Sequence, residues 1–314
     1  MNVGNLVAGV IMIPNRAMSR APARGLRAAA AVGMALIGLA ALADTPPAAD
    51  PSKAPIDSTT VIAPRDRAAV EREVRTFVNA IAVKPGDESL ARWQSQIPLC
   101  PQVAGLQGSD GEYILSRVSK IAGAAGAPLA AEHCKGNLLI VVTSDPEGVL
   151  KAWSKRDVRM FGEEADQGST KVREFSAATP IRVWYNTEFY KLDGTPLGNA
   201  EGRTNQSARA TQLETNNYRA LSSVMVLVDA RRMKGVSFGQ VAAYVAMAGL
   251  TQLHTEANVT ATPSILNLFA AAGTAPPGLT AWDESFLKAV YQTRITDKAQ
   301  LAAIKTAMVQ DVAP

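Results

Sequence analysis

Gly235-Val-Ser-Phe-Gly239 matches the G-x-S-x-G of a nucleophile elbow. In such an elbow a serine on a sharp strand-to-helix turn attacks a carbonyl while a histidine takes its proton. The flanks fit in part. An apolar run ending at Asp229 reads as the strand before the serine, and the stretch from 238 onward reads as the helix after it. Several residues separate that strand from Ser237, where an elbow has almost none. The usual partners follow in the order Ser, acid, His, yet no Asp or Glu lies between Ser237 and His254. Ser237 with Gln240 is also S-x-x-Q, a capping box in which each side chain satisfies a free amide of the helix start. The cap is the simpler role, and a serine nucleophile at Ser237 is the alternative.

Other chemistries have fewer residues to work with. The only histidines are His133 and His254, and no H-E-x-x-H occurs. His133 adjoins Cys134, and His254 follows a helix whose carboxyl end it can favour; both are expected to be structural. The adjacent acids Glu163-Glu164 and Asp283-Glu284 do not face one another on a helix. The first pair falls in a polar loop and the second in a first helical turn, where acids suit the dipole. No phosphate-cradling glycine motif is present. No metal and no cofactor is expected.

Residues 1–43 set the compartment. Arg16, Arg20, Arg24 and Arg27 lead into the apolar run Ala28–Leu42, and Ala41-Leu42-Ala43 has the small residues of a signal-peptidase site. This describes a cleavable export signal, with cleavage after Ala43 and periplasmic or secreted localisation. A retained anchor is the alternative, but the run falls short of the ~20 residues a spanning helix needs. A start at Met18 rather than Met1 gives a signal of more usual length. Loss of the four signal arginines leaves 28 Lys+Arg against 28 Asp+Glu. The mature chain is then neutral and lacks the basic stripe of a nucleic-acid binder. After cleavage nothing remains to hold it in a membrane. Cys100 and Cys134, an even pair in an exported chain, are expected to form a disulfide. Such a bond stabilises by roughly 4 kcal/mol in the chain-entropy model; two buried thiols are the alternative.

Residues 44–65 are rich in Pro, Ala, Ser and Thr without apolar period and read as a disordered linker. Residues 66–314 then form a single globular domain. Apolar spacing places helices over Ala68–Ile81 and Glu112–Ala124, from Pro146 toward Trp153, over 238–251, and at Trp282–Tyr291 and Asp297–Met308. Asn137–Thr143 and Val224–Asp229 read as buried strands. Ile181–Lys191 reads as a strand closed by an Asp193-Gly194 turn, with a long polar loop through Asn217. The fold class is α+β, or mixed α/β: one domain with a mixed sheet, a central buried helix and C-terminal helices.

Val241-Ala-Ala-Tyr-Val-Ala-Met-Ala-Gly-Leu-Thr-Gln-Leu253 and Ser264-Ile-Leu-Asn267 resemble the core of the metzincin zinc proteases, H-E-x-x-H-x-x-G-x-x-H followed by a turn around a methionine. Aligned on Gly249, the glycine at which that motif bends, the resemblance puts Ala242 and Ala243 at the first histidine and the glutamate. Ala246 stands at the second histidine, Gln252 at the third, and Leu266 at the methionine. Gly278–Tyr291 also resembles the end of a family of exported bacterial proteins with metzincin-like spacing. The resemblance implies a zincin-like fold whose site is empty, because alanine neither binds zinc nor serves as a base. The expected function is a non-catalytic envelope or secreted protein that binds an as yet unknown protein or peptide partner.

Overall fold

The computed structural model describes residues 12–13, 66–83, 90–156, 179–191, 193–196, 217–270, 275–293 and 299–313. The expected linker 44–65, the Glu163-Glu164 pair and all of the expected export signal except residues 12–13 lie outside them.

In chain order the elements are β1 (Met12–Ile13), α1 (Arg67–Ile81), β2 (Pro101–Ala104), α2 (Gly108–Ala125), β3 (Leu138–Thr143), α3 (Pro146–Arg156), β4 (Ile181–Lys191) and β5 (Asn217–Asp229). The helices α4 (Phe238–Leu250), α5 (Ala281–Gln292) and α6 (Gln300–Val312) follow, with a 3-10 turn over Ile265–Phe269 ahead of α5. The sheet runs β1-β2-β3-β5-β4. Its centre, β2, β3 and β5, is parallel, and the two edge strands β1 and β4 are antiparallel. The chain is an α+β domain with a mixed sheet.

β3 reads as an unbroken apolar run because both faces of the sheet are covered. Leu138 and Ile140 face the main core with α1, α2, α4 and α5. Val141 faces the other way, into a smaller core with Trp184, Met225, Leu227 and Trp153 of α3. In α1 the buried Val70, Val74, Phe77, Val78 and Ile81 recur at helical spacing, and Asp66 caps the start by accepting from the Ala68 amide at 3.1 Å. Phe77 meets Trp282 and Phe286 of α5 edge to face, at centroid distances of 5.8 and 6.1 Å. That geometry adds roughly 0.5–1.5 kcal/mol per pair beyond area burial. α2 stops at Gly126, whose φ of 87° is the left-handed conformation glycine supplies at helix ends.

One strand, β2, was not expected from the sequence, and several boundaries differ, among them the start of α2 at Gly108 rather than Glu112. β2, Pro-Gln-Val-Ala, has too few residues to show a period. β5 begins at Asn217 rather than Val224, because its polar first half pairs with the second half of β4. The last helix covers Gln300–Val312 rather than Asp297–Met308. β4 has its expected limits, and Ser222 of β5 is an extra residue that shifts the register between Asn186 and Thr187.

Candidate functional site

Every residue of α4 from Val241 to Leu250 is buried. A helix apolar all round has no solvent face to offer. Ala242 and Ala246 are 0 % exposed and Ala243 is 1 % exposed, so the positions that would carry two histidines and the glutamate are sealed in the main core. A Cβ on Gly249 would lie 3.0 and 3.2 Å from the methyl carbons of Leu138. The glycine therefore lets α4 approach β3. It does not bend the chain, because the helix runs on through Leu250 and departs at Thr251, in extended conformation (φ −152°, ψ 156°). Gln252, half-buried, gives its amide to the Ala91 carbonyl at 3.0 Å.

The last carbonyls of a helix have no intrahelical partner, and here three side chains from distant segments supply one. The Tyr185 hydroxyl of β4 donates to the Ala248 carbonyl at 2.7 Å, and the Trp93 indole to that of Gly249 at 2.8 Å. The Tyr291 hydroxyl of α5 donates to the Leu250 carbonyl. Burial pushes the pKa of both tyrosines up, which keeps the two hydroxyls protonated and donating. The α4 site thus consists of small apolar side chains and satisfied carbonyls. It does not fit zinc, which needs nitrogen, sulfur or carboxylate ligands. Among the described residues no three His, Cys, Asp or Glu are grouped to hold a metal.

Ser237 is the N-cap of α4. Its hydroxyl accepts from the Gln240 amide at 3.2 Å, and the Gln240 side chain accepts from the Ser237 amide at 3.0 Å. Its backbone is ordinarily extended (φ −79°, ψ 155°) and seven residues separate it from the end of β5. The sharp elbow turn is absent. His254 is exposed and uses its amide on the Ile81 carbonyl. His133 is also exposed, at φ 59°, in the turn that brings Cys134 to Cys100. Those two cysteines form a disulfide across 34 positions of chain.

The Ser264-Ile-Leu-Asn267 turn packs on α4, with Tyr244 against Phe269 at 5.7 Å between ring centroids. It is tied to α5 by Asp283, which does more than suit a helix dipole. Fully buried, its carboxylate accepts from the Ser264 hydroxyl at 2.6 Å, the Ile265 amide at 2.8 Å, and the Thr280 amide and hydroxyl, each at 2.9 Å. Burial raises its pKa above the usual carboxylate range, and these donors pull it the other way.

Two further features escaped the sequence. β4 is an edge strand: the Asp229 amide donates to the Pro180 carbonyl at 3.0 Å, which sets the alternation of an antiparallel pair. Arg182, Trp184 and Asn186 turn their main-chain groups toward β5, while Ile181, Val183 and Tyr185 turn theirs away, where no described strand lies. At the carboxyl end of the sheet, Asp229 is gripped by Arg231 through both Nε and Nη2, each at 2.9 Å. Glu147, in the first turn of α3, bridges Arg182 at 2.8 Å and Arg231 at 3.3 Å. Its hydrogen bond from Arg182, before any other cause, holds its pKa below the usual carboxylate range. The one sequence signal for this cluster was an arginine inside the apolar first half of β4, Ile181–Tyr185.

None of the described helices is long and apolar enough to cross a membrane. Comparison with protein-family models, with curated proteins and with solved structures returned no match.

Proposed function

We propose that this chain is an exported, non-catalytic protein with a degenerate metallopeptidase-like domain, and that it binds an extended peptide or protein segment along β4. Strand, buried helix, Gly249 and the turn at Ser264 follow in the order that carries the metzincin resemblance, and helix and turn pack together. The helix has lost every metal-binding side chain and is closed to solvent, which favours binding over hydrolysis. The Cys100–Cys134 disulfide suits an oxidising compartment outside the cytosol.

The observation that carries the binding role is the outward main-chain edge of β4 at Val183 and Tyr185, along which no described strand lies; at its start the Ile181 carbonyl already accepts from the Thr179 hydroxyl at 3.1 Å. An extended segment adds to such an edge by main-chain hydrogen bonds, with alternate side chains giving selectivity. Val183→Pro deletes an outward N–H and leaves the β4–β5 ladder intact. An immobilised peptide library probed with the mature protein is expected to give hits that Val183→Pro abolishes. A library without hits, or hits indifferent to the proline, would overturn the proposal.

A further inference from the structure

The charged cluster at the carboxyl end of the sheet holds an unbalanced group. Arg182 is 3 % exposed, and its guanidinium makes one hydrogen bond, from Nη2 to Glu147. Its Nε and Nη1 are buried without a partner. A guanidinium offers five N–H donors, and native proteins rarely leave buried donors unpaired. Asp229 is no counter-charge for it, being held in both directions by Arg231. Asp145, nearby in sequence, accepts from the Gly148 amide of α3.

Glu147 occupies this place as a ligand would. One carboxylate oxygen goes to Arg182 and the other to Arg231. The side chain is 56 % exposed and sits on a first helical turn, so rotation about its own bonds takes it into solvent. The location is also where ligands bind in sheets of this kind, outside the carboxyl ends of parallel strands. Thr143 and Asp229, the final residues of β3 and β5, pair there.

We propose that Arg182 and Arg231 form an oxyanion-binding site for a carboxylate or phosphate group, with Glu147 as the internal occupant that the ligand displaces. An arriving oxyanion takes the guanidinium edge that Glu147 leaves. A second or third oxygen reaches the donors that Glu147 does not satisfy, in the bidentate arrangement arginine favours.

The test is calorimetric titration of the folded protein, in chloride buffer at constant ionic strength, with inorganic phosphate in one arm and acetate in the other. Saturable one-to-one binding is expected in at least one arm, and the stronger arm names the group. Glu147→Ala removes the competitor and is expected to tighten binding by about tenfold or more. Arg231→Gln, at a half-exposed position and with an amide that can still donate to the buried Asp229, is expected to weaken it by a similar factor. Absence of saturable binding to both the wild type and Glu147→Ala would overturn the proposal. So would binding to Glu147→Ala that survives Arg231→Gln unchanged.

Discussion

Ala246→His places an imidazole where the metzincin motif has its second histidine, and the outcome follows from how α4 is packed. The alanine is fully buried, so the ring enters filled space. Overpacking a dense core costs roughly 1–3 kcal/mol, and burying ring nitrogens without partners costs roughly another 1–3 kcal/mol. The expected loss is therefore roughly 2–6 kcal/mol, against a total stability of about 5–15 kcal/mol for an ordinary domain. In a domain of this size each kcal/mol moves the midpoint by roughly 2–4 °C, so the fall in Tm is about 4–24 °C. Urea and thermal unfolding, followed by circular dichroism with and without zinc, measure it. Zinc is expected to restore nothing, including in Ala242→His/Ala246→His, whose histidines would sit one turn apart on a single face. A double variant as stable as the wild type that takes up one zinc would refute the closed packing of α4.

Other perturbations separate the remaining roles. Asp283→Ala leaves the Ser264 hydroxyl and the Ile265 and Thr280 amides without an acceptor, and should cost roughly 2–5 kcal/mol in urea unfolding at neutral pH. Asp283→Asn should cost far less. Because burial raises the Asp283 pKa, the folded state binds the proton more tightly than the unfolded chain. Its contribution to stability is greatest below the unfolded carboxylate pKa and declines as pH rises through the folded value. Asp283→Asn should remove that decline, and an unchanged pH profile would count against it. Ser237→Ala should lower stability by about 1 kcal/mol, as loss of a helix cap does, and the wild-type serine should resist a fluorophosphonate probe. Labelling at Ser237 would favour the hydrolase instead.

What was legible in the sequence was local. The buried face of α1 recurs at helical spacing, and the Ser237–Gln240 capping box spans three residues, so both can be found without knowing what they pack against. The cysteine pair was legible from count and compartment. The first half of β5 was not, because Asn-Tyr-Arg-Ala-Leu-Ser-Ser becomes a strand only through pairing with β4. Nor were the donors that close α4, since Trp93 lies 156 positions from Gly249 and Tyr185 lies 63 from Ala248. Gly249 shows the same limit. Its place in a motif suggested a bend, and its use is room for Leu138 of β3.

The most direct test of the central claim is zinc titration of the folded protein by calorimetry. Both cysteines are in a disulfide and both histidines are exposed, outside the buried part of α4, so no saturable one-to-one uptake is expected. Stoichiometric, tight zinc binding would contradict a closed, non-catalytic α4.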